Sequence, residues 1–196
     1  GFSTGLFLDQ RDNRARVMGA AAGRSVLNLF AYTCGFGLVA ARGGARSTTN
    51  IDVAKPALSR GRESYEHAGL AGENHRFLLR DVLDTLPRMA RAGERFELVV
   101  LDPPSFASTK HGRFSVERDY AALLTRALSV TAPGGVLLAC TNHHGLTEQA
   151  FVTSLRQGLA RAQRTAQGIE LLPPPADHPV RQAGVAHLKS AFLQLR

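Results

Sequence analysis

Cysteine is scarce in this chain: Cys34 and Cys140 are its only thiols. Two thiols at that separation make neither a disulfide framework nor a metal-ligand spacing, so a reducing compartment and no metal are expected. Lysine is nearly missing too. Lys55, Lys110 and Lys189 stand among 24 basic residues, and the rest are arginine. No apolar run is long enough to cross a bilayer, and no charged-then-apolar leader opens the chain. These absences argue against a membrane protein and predict a cytoplasmic one.

What is present suits a single α/β domain. The 196 residues are 44% hydrophobic and 20% charged, enough to enclose a core. The net charge is +8. A basic surface favours polyanions, because neutralising phosphates releases counterions. A compositional bias toward arginine and alanine explains the same charge equally well.

Apolar β-type runs alternate with helix-like stretches. Strands are predicted at Ser25–Ala31, Arg46–Ile51, His75–Leu79, Phe96–Leu101 and Gly135–Cys140, with two closing strands at Ile169–Leu172 and His187–Leu195. Helices are predicted at Phe36–Arg42, Val53–Ala68, Val82–Ala92, Val116–Val130 and Thr147–Ala162. Such alternation points to a mostly parallel sheet with helices on both faces. Pro173–Pro175 reads as a rigid surface loop. The polar, arginine-rich residues 1–22 read as a hairpin or lid ahead of a domain spanning 23–196.

In open parallel sheets, ligands bind beyond the carboxyl ends of the strands, near the point where strand order reverses. The first strand runs into Ala31-Tyr32-Thr33-Cys34-Gly35-Phe36-Gly37. Two glycines allow a tight turn and a close backbone approach, and the helix that follows offers free N–H groups. Asp52 closes the second strand, where an acid can accept ribose hydroxyls. Asp81 follows the third strand, as an adenine-edge contact or as a helix N-cap. The dinucleotide fingerprint G-x-G-x-x-G would put its third glycine at Ala40, and alanine is tolerated there. A nucleoside cofactor and a dinucleotide both remain open at this point.

The fourth strand ends in Asp102-Pro103-Pro104-Ser105-Phe106. Two prolines continue neither a strand nor a helix, so the backbone leaves the sheet in a fixed extended arc. Asp102 and Pro103 are therefore candidates for the reacting end of the site.

On these residues the chain resembles a known family, the bacterial class I SAM-dependent 23S rRNA methyltransferases that include large-subunit methyltransferases I and K. The marks are Gly5-Leu6-Phe7-Leu8-Asp9-Gln10-Arg11, Asn28–Thr33, Val53–Leu58, Leu101–Phe106, Asp119-Tyr120 and Asp177-His178-Pro179. The resemblance implies a Rossmann-like fold with seven strands, the last antiparallel. It implies S-adenosylmethionine (SAM) as cofactor, contacted by Asp9, Gln10, Arg11, Phe30, Tyr32, Thr33, Gly35, Gly37, Asp52, Val53, Asp81, Val82 and Asp102. It implies 23S rRNA, free or partly assembled, as partner, with a homodimer as one admissible assembly. Family members carry an N-terminal RNA-binding PUA domain and a small β-rich domain. This sequence starts at the methyltransferase domain, with Arg11, Arg14 and Arg16 as candidate RNA contacts.

The resemblance also bears on the methyl acceptor. Cytosine C5 methylation needs a thiolate to attack ring carbon 6. In the cytosine-methylating relatives that cysteine lies seven residues beyond the fifth strand's glycine pair, which here is Asn142. Cys140 lies two residues earlier, where a packing residue is expected. Cys140-Thr141-Asn142-His143-His144-Gly145 looks more like the corresponding stretch of guanine-N7 relatives. Guanine N7 has its own lone pair and needs only orientation. Asn142 is then a candidate base contact, and His143 and His144 candidate phosphate or base contacts. A non-catalytic SAM- or RNA-binding module and a dinucleotide-dependent oxidoreductase are the competing readings.

Overall fold

The computed structural model describes residues 5–109, 112–178 and 187–196. Residues 8–20 form a 3-10 turn (Leu8–Gln10) and helix α1 (Arg11–Ala20). Of the hairpin or lid read from residues 1–22, residues 8–20 are helical and form no hairpin. The helix is polar almost throughout, and only Asn13 and Val17 of it are buried. The predicted elements follow: β1 (Ser25–Leu29), α2 (Gly35–Arg42), β2 (Ser47–Asp52), α3 (Lys55–His67), β3 (His75–Leu79), α4 (Val82–Arg91) and β4 (Phe96–Leu101). A hairpin that the sequence did not suggest comes next, β5 (Phe106–Thr109) with β6 (Gly112–Ser115). The chain closes with α5 (Val116–Leu128), β7 (Thr131–Thr141), α6 (Glu148–Arg161), β8 (Ala166–Leu172) and β9 (Lys189–Leu195).

The main sheet has the order β3-β2-β1-β4-β7-β9-β8. β9 runs antiparallel to both neighbours, and the other pairings are parallel. The fold is therefore the expected Rossmann-like one. Strand order reverses between β1 and β4. Leu29 of β1 is level with Ile51 of β2 and Leu101 of β4, so three strands end side by side at the switch point.

Alternation along the strands sorts the core into two layers. Leu27, Val99, Leu101, Leu137 and Ala139 pack on α4, α5 and α6 through Leu86, Tyr120, Leu124 and Phe151. Val26, Leu98, Val100, Leu138 and Cys140 face the opposite side, against Val17 of α1 and Phe36 and Ala40 of α2. Each fully buried leucine is worth about 1.5–3 kcal/mol, so the strands are strongly held in register. α4 keeps its shape despite Pro87. A proline there leaves the carbonyl of Leu83 without its helical donor, and Arg126 of α5 donates to that oxygen at 3.1 Å. Pro175 is buried, so the proline stretch is anchored rather than purely superficial. Pro179 lies outside the described residues, and no helix among those described is long and apolar enough to cross a membrane.

Candidate functional site

The loop after β1 carries three non-glycine residues in the left-handed region: Phe30 (φ 56°), Tyr32 (φ 49°) and Cys34 (φ 63°). Each such residue costs on the order of 1 kcal/mol and persists only where its surroundings impose it. The imposing contacts are visible. Ala31 N donates to Ile51 O at 2.9 Å, Cys34 N to Ala31 O at 2.7 Å, and Tyr32 N to Asp52 Oδ2 at 2.7 Å. Asp52 Oδ1 accepts from Ala54 N at 2.8 Å. One carboxylate thus ties the ends of β1 and β2 together while each oxygen keeps a lone pair for a ligand hydroxyl.

The expected role of the two glycines changes here. Neither has a positive φ; both lie in α2 and allow close approach. A Cβ on Gly37 would collide with Asn50 Oδ1 and the Tyr65 hydroxyl. Those groups belong to a buried network in which Asn28 Nδ2 donates to Asn50 Oδ1 at 3.0 Å and Thr48 Oγ1 meets Tyr65 at 2.9 Å. A Cβ on Gly35 would press on Leu6 at 3.0 Å.

A cavity of about 440 Å³ opens over these strand ends, within the usual size of a small-molecule site. It is lined by Asp9, Gln10, Phe30, Tyr32, Thr33, Gly35, Asp52, Val53, Asp81, Val82, Asp102, Pro103 and Asn142, all candidates named from the sequence. Of the cofactor and catalytic candidates, three stay out of its wall. Gly37 lies behind the loop. Arg11 is at the surface, where its guanidinium grips Asp177 at 2.8 and 2.9 Å. Cys140 is fully buried on the α1 face of the sheet.

Asp81 serves as the N-cap of α4, accepting from Leu83 N at 2.7 Å, and still reaches the cavity. Asp102, just past the end of β4, is half-buried in the cavity wall. Burial, and then the charge of Asp9, push its carboxyl up to about 7, against the bond that Gln10 donates at 2.9 Å. Ser105 Oγ, past the two prolines, donates to Asn142 Oδ1 at 3.1 Å and joins the β4 exit to the β7 exit.

Burial, and then Asp102, hold the Cys140 thiol far above its ordinary value, as does burial for Cys34, pushed up to about 12. Both are poor nucleophiles in that state. His143 lies 3.0 Å from Glu117 and edge-on to Phe106; His144 bonds His187 at 2.9 Å. Arg16 pairs with Glu170 at 2.8 Å, and Arg14 donates to Phe7 O at 2.6 Å and lines the cavity.

Sequence reasoning missed several wall residues. Leu6 and Phe7 lie in the motif from which only Asp9, Gln10 and Arg11 were drawn; Phe7 stands 5.7 Å from the Tyr32 ring. Ala107 and Phe114 come from the unforeseen hairpin, and Leu188 from the approach to β9. No pattern in the sequence marked them. Among the described residues no group of three or more His, Cys, Asp or Glu side chains could hold a metal.

A profile of the S-adenosylmethionine-dependent methyltransferase family matches residues 1–193. The chain is 39% identical over 197 residues to the ribosomal RNA large subunit methyltransferase I of Aeromonas salmonicida, covering 99% of this chain and 48% of that protein. It is 34% identical over 195 residues to a ribosomal RNA large subunit methyltransferase of Deinococcus radiodurans, covering 100% of this chain and 48% of the relative. The chain thus spans about half the length of these curated relatives. Among solved structures, SMU.776 complexed with S-adenosylhomocysteine (SAH) superposes with a TM-score of 0.90 at 32% identity, over 99% of this chain and 51% of that one.

Proposed function

This chain belongs to the S-adenosylmethionine-dependent methyltransferase family, and from that premise we propose that its cavity binds SAM and that the protein methylates a base of 23S rRNA. The carrying observation is the cavity over the level ends of β1, β2 and β4, walled by Asp52, Asp81 and Asp102. The residues fit the cofactor. Asp52 accepts the ribose hydroxyls with the lone pairs that Tyr32 N and Ala54 N leave free. Asp81 and Val82 border the adenine, and the loop Phe30–Gly35 covers the nucleoside. Asp9, Gln10 and Asp102 take the methionine end.

When bound, SAM supplies a methyl group activated by its positive sulfur. The chain's own part is to orient the base and exclude water. Asn142, fixed by Ser105, presents its amide to the base edge, and Pro103 and Pro104 hold the exit from β4 rigid. We favour direct transfer to a ring nitrogen such as guanine N7 over cytosine C5. Of the two thiols, neither lines the cavity, and Asn142 stands where the cytosine-type nucleophile is expected. The curated relatives' names support large-subunit rRNA as substrate.

The test is transfer of tritiated methyl from SAM to 23S rRNA by the full-length gene product, followed by mass mapping of the base. Methylated guanine N7 is the expected product. A covalent protein–RNA adduct trapped with a cytosine analogue would replace it with the C5 reading. SAM binding without any transfer would favour a binding module, and NAD binding without SAM binding would favour an oxidoreductase.

A further inference from the structure

The acceptor end of the cavity is fixed by side-chain bonds. Gln10 donates to Asp102 Oδ2 at 2.9 Å, and its own oxygen accepts from Asn13 Nδ2 at 2.5 Å. The same nitrogen of Asn13 donates to Ser190 Oγ of β9 at 2.8 Å. With its oxygen engaged, Gln10 turns only N–H toward Asp102. Ser105 Oγ donates to Asn142 Oδ1 across the exits of β4 and β7. Val116 N donates to Ser105 O at 3.1 Å, which pins the base of the β5–β6 hairpin. The hairpin has two faces. Ala107 and the buried Phe114, opposite each other in the ladder, line the cavity. Phe106 and Arg113 alternate with them, so they share the outer face, and both are exposed.

Phe106 is 65% exposed although it sits between two wall residues, Ser105 and Ala107. Single exposed apolar side chains are common, but this one is held in place. The His143 ring stands at 90° to it, with centroids 5.3 Å apart. Such a contact covers at most one face of a phenyl ring. His143 is itself fixed: its Nε2 lies 3.0 Å from Glu117 Oε1, and its carbonyl accepts from Lys189 Nζ at 2.9 Å. One flat apolar face is therefore presented to solvent beside the cavity. Leu6, Phe7 and Val53 are exposed too, but they lie beside the residues assigned to the cofactor. A protein partner needs a contiguous apolar patch. A lone ring sharing its face with an arginine, on a chain of net charge +8, suits a base and its phosphate instead.

A base that reacts inside the cavity must leave its stack, which also uncovers a face of the base next to it. Resting on the reading of this cavity as the place where an RNA base meets SAM, we propose that the Phe106 ring is a stacking platform for the nucleotide next to the methylated one, with Arg113 holding a phosphate of the same strand. The neighbouring base regains on the protein the face contact it lost in the RNA, and part of the cost of unstacking is offset. The two prolines fix the approach to the hairpin and His143 backs the ring, so little ordering entropy opposes the contact. Every base has a π face, so the platform reads no sequence. Choice of acceptor is left to the side chains inside the cavity, and the platform serves whichever ring atom is methylated.

The experiment is transfer of tritiated methyl from SAM to an unmodified 23S rRNA transcript by the full-length gene product, with Phe106 varied. Phe106→Leu should raise KM for the RNA by about tenfold or more, the scale of one lost base stack. Its kcat should stay within about twofold, the pattern of lost binding alone, and its SAM affinity by calorimetry should match the parent's. Phe106→Tyr should restore the parent's KM. Phe106→Trp keeps a ring and reports on it directly, because this chain has no tryptophan of its own. With SAH bound, the transcript should quench the emission that this variant adds to the parent's. Leu171→Trp, exposed on β8 at the far edge of the sheet, should stay bright. A merely structural role would show as weaker SAM binding and no quenching. An unchanged KM in Phe106→Leu, a KM that Phe106→Tyr does not restore, or an unquenched Phe106→Trp overturns the platform and leaves the parent's methyl transfer standing. No transfer to the transcript by the parent overturns both readings.

Discussion

The two halves of the cavity are built differently. Over β1, β2 and β3 the wall is held by backbone: Asp52 bonds main-chain N–H groups of Tyr32 and Ala54, only 20 and 2 residues away. Over β4, β7 and β9 it is held by side chains that reach across the chain. Gln10 meets Asp102 from 92 residues away, and Asn13 meets Ser190 from 177. A wall made of backbone tolerates few changes of shape. One made of side chains can be retuned by a single substitution, as expected of the half that sets charge and acceptor.

Substitutions in the two halves should therefore fail in different ways. The largest effect is expected from Asp52→Ala. It removes ligand contacts and also orphans two N–H groups that hold a strained loop. Bonds to a charged carboxylate are worth about 1.5–3 kcal/mol each, so SAM affinity measured by calorimetry should fall by roughly a hundredfold or more. Gly37→Ala presses a methyl on Asn50 and Tyr65. Overpacking costs about 1–3 kcal/mol, which lowers Tm by several degrees at roughly 2–4 °C per kcal/mol in a chain of this size.

In the other half, Asp102→Asn should stabilise the ligand-free protein, and the gain should depend on pH. The folded carboxyl is pushed up, to about 7, so the folded state holds its proton longer than the unfolded chain does. That contribution is complete below the unfolded carboxyl's range, near pH 4, and is lost as pH rises to about 7. Thermal melts should show a larger gain from the substitution at pH 8 than at pH 5. An equal gain at both would mean that Asp102 is not held protonated.

Cys140→Ala should leave methyl transfer within about twofold, since a group outside the wall supplies no nucleophile. Arg11→Ala should do least. Its pair with Asp177 is exposed, and such pairs are worth about 0–1 kcal/mol.

The same division governs what the sequence made legible. The β1 loop, Asp52 and Asp81 sit where strand-like runs stop, so their place at the strand ends was legible even though β2 is rich in Ser and Thr. The D-P-P exit was legible because proline constrains its own backbone. Asn13 and Ser190 carried no signal, because each is one polar residue in an element whose partner lies at the other end of the chain. The role given to Gly35 and Gly37 needed correction for a similar reason. Turn chemistry is local and readable, whereas crowding by Asn50 and Tyr65 exists only after β2 and α3 have packed. The β5–β6 hairpin escaped because its strands have four residues each and its sequence carries no Asn-Gly or Asp-Gly turn signal.

The bond from Asn13 to Ser190 sets an order of assembly. Strands β1 to β3 and the Asp52 tie can form once the first half of the chain has left the ribosome. The polarity of Gln10 waits for β9, which is made after every other strand of the sheet. A nascent chain can therefore own a nucleoside pocket before it owns an oriented acid. Hydrogen exchange on a chain ending before residue 187 should find the Asp52 loop protected and α1 open.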